Sequence, residues 1–236
     1  MISNKQVLAV VPARGGSKGI IKKNLRTING KPLVALVADV IREVPFIDKA
    51  VVSTDTEEIA LVAEKNGLET PFLRPPNLSG DQVSDWEVLH HALLEIEKID
   101  KTIYDIIIML QPTSPLRRRK HIVDAVKMLE EGNWDSVWSV SKTEPKNHPL
   151  KQLCLNSDEM NYYDDRAKNI IARQQLSPLY QRNGVVYVMT RECIIEQKTI
   201  KGRRTGGLIL EGHFVSIDTE WDLELSEFIL NRLPEA

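Results

Sequence analysis

Short apolar runs alternate with amphipathic segments along most of this chain. The apolar runs predict strands at Val7–Val11, Ala50–Ser53, Ile106–Leu110, Ser136–Val140, Val185–Met189 and His213–Asp218. Several are apolar at every position, as is typical of strands buried on both faces. Helical spacing of apolar residues predicts helices over Pro32–Val44, Glu57–Asn66, Trp86–Ile99, His121–Glu131 and Glu220–Leu230. Strand and helix in alternation predict an α/β fold with an open, mostly parallel sheet and helices on both faces.

Two local features refine this pattern. Asp55, with Glu58 three residues later, is typical of a helix cap, so we interpret Asp55 as a cap rather than a metal ligand. From residue 143 to residue 182 the alternation stops, and the chain becomes polar and rich in proline. Long excursions from a compact domain are commonly functional loops or partner contacts. We therefore expect one domain over residues 1–236, with an excursion at 143–182.

Composition narrows the class of protein. The chain has 236 residues, of which 42% are apolar and 27% charged, with a net charge of -2. This nearly neutral charge balance argues against a protein whose partner is nucleic acid in general or a membrane surface. The N-terminus lacks a signal-peptide pattern and no run is long enough to span a membrane, so we expect a cytoplasmic protein. Two cysteines without a CxxC motif suit a reducing compartment.

Positive charge is concentrated after the first predicted strand. Seven of the 31 basic residues fall at or before Lys31, and the first acidic residue is Asp39. The loop carries Gly15 and Gly16, whose backbone N–H groups can turn toward an anion. Its cations are Arg14, Lys18, Lys22 and Lys23. Neither the P-loop nor the GxGxxG motif is present, and a solvated surface loop is the alternative. The convergence of cations and glycines favours phosphate binding.

The segment "PARGGSKGIIKKN" resembles the nucleotide-binding signature of the acylneuraminate cytidylyltransferases, which activate sialic and related nonulosonic acids as CMP-sugars. Further matching segments follow in order over nearly the whole chain: "VVSTDTEEIA", "FLRPPNLSGD", "MLQPTSPLR", "HPLK", "RQQ", "NGVVYV" and "SIDTEWDLE". The resemblance implies a three-layer, Rossmann-like nucleotide-binding fold with a protruding dimerisation segment at 143–182. It also implies a homodimer that uses CTP, a nonulosonic acid and Mg²⁺.

The resemblance implies roles for individual residues. The positions that hold the CTP phosphates and ribose are matched by Arg14, Ser17, Lys18, Lys23 and Asn24, with Gly15 and Gly16 in the same loop. Arg74 and the backbone near Val83 match base-contacting positions, and Asp85 stands at a ribose-contacting position. Gln111 matches a residue near the acceptor sugar, and Arg14, Lys18, Lys23 and Gln111 form the expected catalytic set. The acceptor segments contain Lys151, Arg173, Tyr180 and Asn183, with Arg173 expected to cross a dimer interface. Asp218 matches a metal-binding carboxylate.

Three residues depart from the family pattern. Ile21 stands where proline is usual, and Asp85 stands where a serine is expected. Ser216 stands two residues before Asp218, where many members carry a second aspartate. Because alternate residues of a strand share a face, that pair would grip a cation, and here one ligand is absent. Mg²⁺ needs only one or two carboxylates besides substrate phosphates, so Asp218 remains the expected ligand.

These features support a cytidylyltransferase that transfers CMP to a nonulosonic acid such as N-acylneuraminate or a legionaminate-like sugar. Two alternatives stay open. One is a cytidylyltransferase for another acid, such as pseudaminate or 3-deoxy-octulosonate. The other is a nucleotide-binding relative without turnover. Ser216 supports this alternative because it stands where many members carry a second aspartate.

Overall fold

The computed structural model describes residues 5–232. In chain order its strands are β1 (Val7–Pro12), β2 (Thr27–Ile28), β3 (Lys31–Pro32), β4 (Lys49–Ser53), β5 (Ile106–Met109), β6 (Ser136–Lys142), β7 (Leu153–Asn156), β8 (Glu159–Tyr162), β9 (Tyr180–Thr190) and β10 (Thr205–Ile209). The α-helices are α1 (Leu33–Arg42), α2 (Glu57–Lys65), α3 (Asp85–Asp100), α4 (Arg119–Glu131), α5 (Arg191–Ile195) and α6 (Glu220–Leu230). The five helices expected from the apolar spacing are present, with ends that either coincide with the expected ones or differ by one or two residues.

A six-stranded sheet forms the centre of the described part of the chain, in the order β10-β6-β9-β5-β1-β4. Strand β1 pairs in parallel with β4 and β5, and β10 pairs in parallel with β6. Strand β9 lies between β5 and β6 and is antiparallel to both. The expectation of a mostly parallel α/β sheet is confirmed. The parallel strands therefore end at the same edge of the sheet, where ligands bind in folds of this kind.

Alternation along β1 divides the core into two layers, one on each face of the sheet. Val7, Ala9 and Val11 pack with apolar residues of α1, α2 and α4, whereas Leu8 and Val10 pack with those of α3 and α5. All five side chains are fully buried. A strand that is apolar on both faces is thus explained by helices on both sides, which gives a three-layer arrangement.

The expected strand at His213–Asp218 was wrong. Those residues form an irregular segment, and the edge strand is β10, earlier in the chain. Its sequence "TGGLI" lacks a strong strand pattern, but Gly206 suits close packing: a Cβ atom there would lie 2.9 Å from Met128 Cε. The 213–218 segment instead crosses the edge of the sheet, where the N–H of Ile217 donates to the carbonyl of Thr113 at 2.9 Å.

The excursion begins directly after β6, but its last three residues form the start of β9, so the irregular part ends at residue 179. It contains the antiparallel hairpin of β7 and β8 and several single-turn helices. All eight residues of the two hairpin strands are exposed. Its assignment as a dimerisation segment stays a prediction.

Candidate functional site

A cleft of about 480 Å³ opens at the carboxyl ends of β1 and β5. Eight of the ten expected nucleotide-site residues line it: Arg14, Ser17, Lys18, Lys23, Asn24, Arg74, Val83 and Asp85. The other two, Gly15 and Gly16, do not. Gln111, expected near the acceptor sugar, and Asp218, expected to bind the metal, also line it. These residues are far apart in the sequence, and the loops that follow parallel strands bring them to one edge.

The loop after β1 is fixed to the loop after β4. The N–H of Gly15 donates to Asp55 Oδ1 at 2.8 Å, and a Cβ atom on Gly15 would lie 2.4 Å from Thr56 Cγ2. The interpretation of Asp55 as a helix cap was wrong, since Thr56 is the N-cap of α2 and its side chain makes no capping bond. The N–H of Gly15 is therefore used inside the protein, while Gly16 has open space beside it.

Asn24 fixes the far end of the same loop. Its side chain is buried, and Nδ2 donates to the carbonyl of Arg14 at 2.9 Å. Lys22 adopts a left-handed backbone conformation (φ 53°) just before the short helical turn that contains Asn24. The loop is thus closed on itself, and Arg14 and Lys18 are held on the cleft side.

Acidic side chains face the cations of this loop across the cleft. Asp81 forms ion pairs with Arg14, at 2.7 Å, and with Lys18. Hydrogen bonds from Lys18 and Arg14 hold the pKa of the Asp81 carboxyl below its usual range. Lys23 Nζ donates to Asp218 Oδ1 and to the carbonyl of Ile217, each at 2.8 Å. The cations therefore already hold carboxylates where an anionic ligand would bind.

Arg74 lies in the wall of the cleft with only 5% of its surface exposed. Its Nε and Nη2 atoms are buried and have no hydrogen-bond partner among the described residues. Burial lowers the pKa of its guanidinium; the negative charge of Asp55 opposes this shift and the positive charge of Arg14 adds to it. Buried polar groups are nearly always hydrogen-bonded, so these donors can donate to a ligand or to water.

The opposite wall includes the start of α3. Ser84 caps this helix in a reciprocal arrangement with Glu87, and Asp85 is its first residue. Burial raises the pKa of Asp85, and the positive charge of nearby Arg182 opposes that rise. Val83 lies beside Asp85 in the lining of the cleft. The capping bonds fix where Val83 and Asp85 stand relative to Arg74.

Gln111 lies in the loop after β5, against Gly184 of β9. A Cβ atom on Gly184 would come within 3.1 Å of Gln111 Oε1 and 2.7 Å of Ser114 Oγ. Gly184 also has a positive φ of 73°, which glycine adopts without strain. Close approach and backbone conformation thus both require glycine beside Gln111.

The expected acceptor residues are more dispersed. Lys151, Arg173 and Tyr180 are exposed and do not line the cleft. Asn183 is buried: its Oδ1 accepts from Ser139 Oγ at 2.6 Å, and its Nδ2 donates to Ser141 Oγ at 3.0 Å. It lines a second cleft, of about 520 Å³, which shares Ser216 with the first. Of these acceptor residues, Asn183 alone touches a cavity that continues from the nucleotide cleft.

The sequence profile described as cytidylyltransferase matches residues 8–228. The chain belongs to the cytidylyltransferase family. A CMP-N,N'-diacetyllegionaminic acid synthase of Legionella pneumophila is 32% identical over 98% of this chain and 99% of its own. An N-acylneuraminate cytidylyltransferase of Escherichia coli is 29% identical over 94% of this chain and 51% of its own, so this chain spans about half of that relative. The resemblance carried by the motifs is confirmed.

A solved structure supports the fold of this cytidylyltransferase. The structure of CMP:2-keto-3-deoxy-manno-octonic acid synthetase complexed with CTP superposes with a TM-score of 0.69. It is 17% identical and covers 96% of this chain and 99% of that one, so the likeness shows the fold alone. Within residues 5–232, none of the helices combines the length and the apolar character needed to cross a membrane.

Asp218 is the carboxylate for which the resemblance implies Mg²⁺. Its side chain is 74% exposed and lines the cleft together with Ser216. Residues 5–232 contain no group of three or more His, Cys, Asp or Glu side chains arranged to hold a metal ion. A site that the protein supplies alone is thus not formed in this part of the chain. One carboxylate fits Mg²⁺ that takes its other ligands from phosphates and water.

Sequence reasoning missed two residues of this cytidylyltransferase. Asp81 lies inside the matched segment "FLRPPNLSGD", but it received no role because its ion pairs with Arg14 and Lys18 join distant parts of the chain. Arg117 ends the matched segment "MLQPTSPLR" and is buried beneath Gln111. The sequence did show that both residues lie in segments that match the family. Their contacts with residues distant in the sequence were needed to assign them a role.

Proposed function

We propose that this cytidylyltransferase transfers CMP from CTP to the anomeric hydroxyl of a nonulosonic acid, N-acylneuraminate or a legionaminate-like sugar. The observation that carries the proposal is the buried pair of unpaired donors on Arg74, in one cleft with Arg14, Lys18 and Lys23. A cytosine carbonyl or ring nitrogen would satisfy those donors while the cations hold the phosphates. Family membership supports the same reaction class.

Different residues of the cleft bind different parts of the nucleotide. Arg14, Lys18 and Lys23, with Ser17 and Gly16, bind the triphosphate, and Asn24 keeps their loop closed. Arg74 and the backbone near Val83 bind the base, and Asp85 accepts a hydrogen bond from a ribose hydroxyl. Charge-assisted hydrogen bonds of this kind contribute about 1.5–3 kcal/mol each.

The chemistry requires positioning and charge stabilisation rather than a covalent intermediate with the protein. The anomeric oxygen attacks the α-phosphorus in line, the bond to the pyrophosphate oxygen breaks, and the anomeric proton passes to solvent water. Arg14, Lys18 and Lys23 stabilise the negative charge that develops on the leaving pyrophosphate. Gln111, which lines the same cleft, orients the acceptor.

Asp218 is the residue that would hold Mg²⁺, together with phosphate oxygens. When bound, the ion supplies positive charge at the phosphates. Lys23 donates to the same carboxylate and keeps it at the edge of the cleft. Equilibrium dialysis with Mn²⁺ in place of Mg²⁺ tests this: Asp218→Asn should abolish the CTP-dependent uptake of the ion, and unchanged uptake would rule Asp218 out.

A panel assay tests the reaction and the acceptor together. CTP and Mg²⁺ are incubated with N-acetylneuraminate, N,N'-diacetyllegionaminate, pseudaminate and 3-deoxy-octulosonate, and pyrophosphate release is measured. We expect the highest kcat/KM with the neuraminate or legionaminate substrate. CTP binding by calorimetry without release on any acid would contradict the transferase and favour a nucleotide-binding protein without turnover.

We also propose a homodimer formed through the excursion, in the cytoplasm. Large apolar side chains are exposed on this segment: Leu155 is 68% exposed, Met160 62%, Tyr163 71% and Ile171 93%. A second copy that covers this surface would bring its Arg173 toward the acceptor cleft. Light scattering should give a dimer for the parent protein and a monomer for Leu155→Glu with Met160→Glu. Leu61→Glu on α2, where Leu61 is 56% exposed, is the matched control and should remain a dimer.

A further inference from the structure

Arg117 is a buried arginine that makes no ion pair with any residue in the described range 5–232. Its Nε donates to the carbonyl of Val185 at 2.5 Å, and its Nη2 donates to the carbonyl of Gln111 at 2.6 Å. Among residues 5–232, no carboxylate lies within 4.0 Å of it. It is 5% exposed, so this positive charge is held in the interior by backbone carbonyls.

Burying a positive charge without a counter-ion has a free-energy cost that an apolar side chain at the same place would not have. Taking a guanidinium out of water without a counter-ion disfavours its charged form, and apolar residues of similar volume are often at least as stabilising. Burial accordingly lowers the pKa of Arg117 to about 9. Stability alone does not account for this residue, which raises the question of what its hydrogen bonds hold in place.

The Gln111–Arg117 segment supports two parts of the cleft. On one side the side chain of Gln111 lies against Gly184, whose neighbour Val185 accepts from Arg117. On the other side the carbonyl of Thr113 accepts from the N–H of Ile217 at 2.9 Å. Ile217 immediately precedes Asp218, and its carbonyl accepts from Lys23. The segment that Arg117 ties to β9 therefore contacts both the acceptor side and the phosphate side.

We infer that Arg117 is a positioning residue, which fixes the Gln111–Arg117 segment against β9 so that Gln111 and Asp218 stand at their places in the cleft. The structural part depends only on the hydrogen bonds above. The kinetic part rests on the proposed function, in which Gln111 orients the acceptor. Neither part requires Arg117 to touch a substrate.

The structural arm uses amide hydrogen exchange measured by NMR. Arg117→Met removes the donors and the charge, and Arg117→Lys keeps the charge without the planar fork. We expect the protection of the Ile217 amide to fall at least about tenfold in both, because its acceptor Thr113 loosens. Arg191→Lys is the matched control: Arg191 pairs with Glu97 at 2.8 Å beyond the opposite end of β9, and it should leave the Ile217 amide unchanged. Equal protection in the parent protein and both Arg117 variants would overturn the inference.

A measurement on the parent protein keeps the inference testable if both Arg117 variants unfold. The Arg117 Nε–H and the Ile217 amide should then exchange through the same opening, with protection within about threefold of each other. An Ile217 amide that exchanges about a hundredfold faster than the Arg117 Nε–H would show that the arginine does not hold this segment.

The kinetic arm uses a double-mutant cycle. Arg117→Lys should lower kcat/KM for the acid by about 10²-fold, since small misplacements of orienting groups cost that much. The Kd for CTP should increase by a smaller factor, because only Lys23 and Asp218 among the proposed nucleotide and metal ligands contact the Ile217 region. Combined with Gln111→Ala, the effect of Arg117→Lys should be strongly non-additive. Additive effects, or a loss matched by Arg191→Lys, would overturn the kinetic part. A parent protein without turnover would instead refute the proposed function and leave the exchange result decisive for Arg117.

Discussion

Replacing Arg74 by methionine should change stability and nucleotide affinity in opposite directions. Within residues 5–232 its Nε and Nη2 atoms are buried without hydrogen-bond partners, and burial lowers the pKa of its guanidinium in spite of the negative charge of Asp55. An unsatisfied buried donor costs about 1–3 kcal/mol, and more when it is charged. Methionine fills much of the same volume without that cost. We therefore expect the free energy of unfolding to rise by about 1–3 kcal/mol.

For a chain of this length, 1 kcal/mol corresponds to about 2–4 °C in Tm. The Tm of Arg74→Met should thus increase by at least about 2 °C. Loss of two charge-assisted hydrogen bonds to the base removes about 3–6 kcal/mol of binding free energy. Because 1.4 kcal/mol is tenfold in affinity, the Kd for CTP should increase by at least about 10²-fold. Differential scanning fluorimetry and calorimetry measure these two quantities on the same preparation.

Arg191→Met is the control for the loss of an arginine that has a partner. Arg191 forms two hydrogen bonds with Glu97, at 2.8 and 3.0 Å, and Glu97 is mostly buried. Removing Arg191 leaves the Glu97 carboxylate buried without its cationic partner, so Tm should fall while the Kd for CTP stays the same. An Arg74→Met protein that is less stable than the parent, or that binds CTP as tightly, would refute the reasoning.

Three further changes probe the cleft and its surroundings. Lys18 is 81% exposed, so Lys18→Ala should leave the free energy of unfolding within about 0.5 kcal/mol but lower kcat/KM about 10- to 150-fold; equal losses of folding and turnover would contradict this. Asp81→Asn should tighten binding of metal-free CTP about two- to fivefold in calorimetry, because it removes a carboxylate that competes with the phosphates for Arg14 and Lys18 through exposed, individually weak ion pairs. Weaker binding would contradict competition by Asp81. Away from the cleft lining, His121 lies in the first turn of α4, where its Nδ1 accepts from the N–H of Arg118 at 3.1 Å. Burial lowers the pKa of His121 to about 4, so the unfolded chain binds more protons between about pH 6.5 and 4. Stability therefore falls as the pH drops through this window. His121→Asn should flatten that part of the plot of Tm against pH, and an unchanged slope would exclude His121.

Periodicity predicted the layers of this fold well because burial on both faces leaves an unbroken apolar run, as in Val7–Val11. It failed at β10, where glycines at the sheet edge replace the apolar residues that mark a strand. The antiparallel direction of β9 could not be predicted either, because an apolar run does not indicate which way its strand points in the sheet. Pairing with β5 and β6 decides that direction through long-range contacts.

The candidate site was predictable as far as one local segment or a matched motif reached. The loop that contains Arg14 and Lys18 carries its charge and glycines within a few residues. Asp55 was misinterpreted because a local capping pattern with Glu58 competes with a contact to Gly15, forty residues away. Asp81 was missed for the same reason, since only the fold brings its carboxylate to the cations. The roles of the acceptor residues stay predictions.

Arg74 and Arg117 together show how two buried arginines without ion pairs serve different ends. The donors of Arg117 are taken up by carbonyls of the protein, so its bonds hold backbone in place and leave little for a ligand. Two buried donors of Arg74 have no hydrogen-bond partner among residues 5–232, so a ligand that accepts from them would offset desolvation that Asp55 offsets only in part. Hence Arg117 should matter for where Gln111 and Asp218 stand, and Arg74 for whether the nucleotide binds. Separate kinetic signatures, in kcat/KM for the acid and in Kd for CTP, follow from this difference.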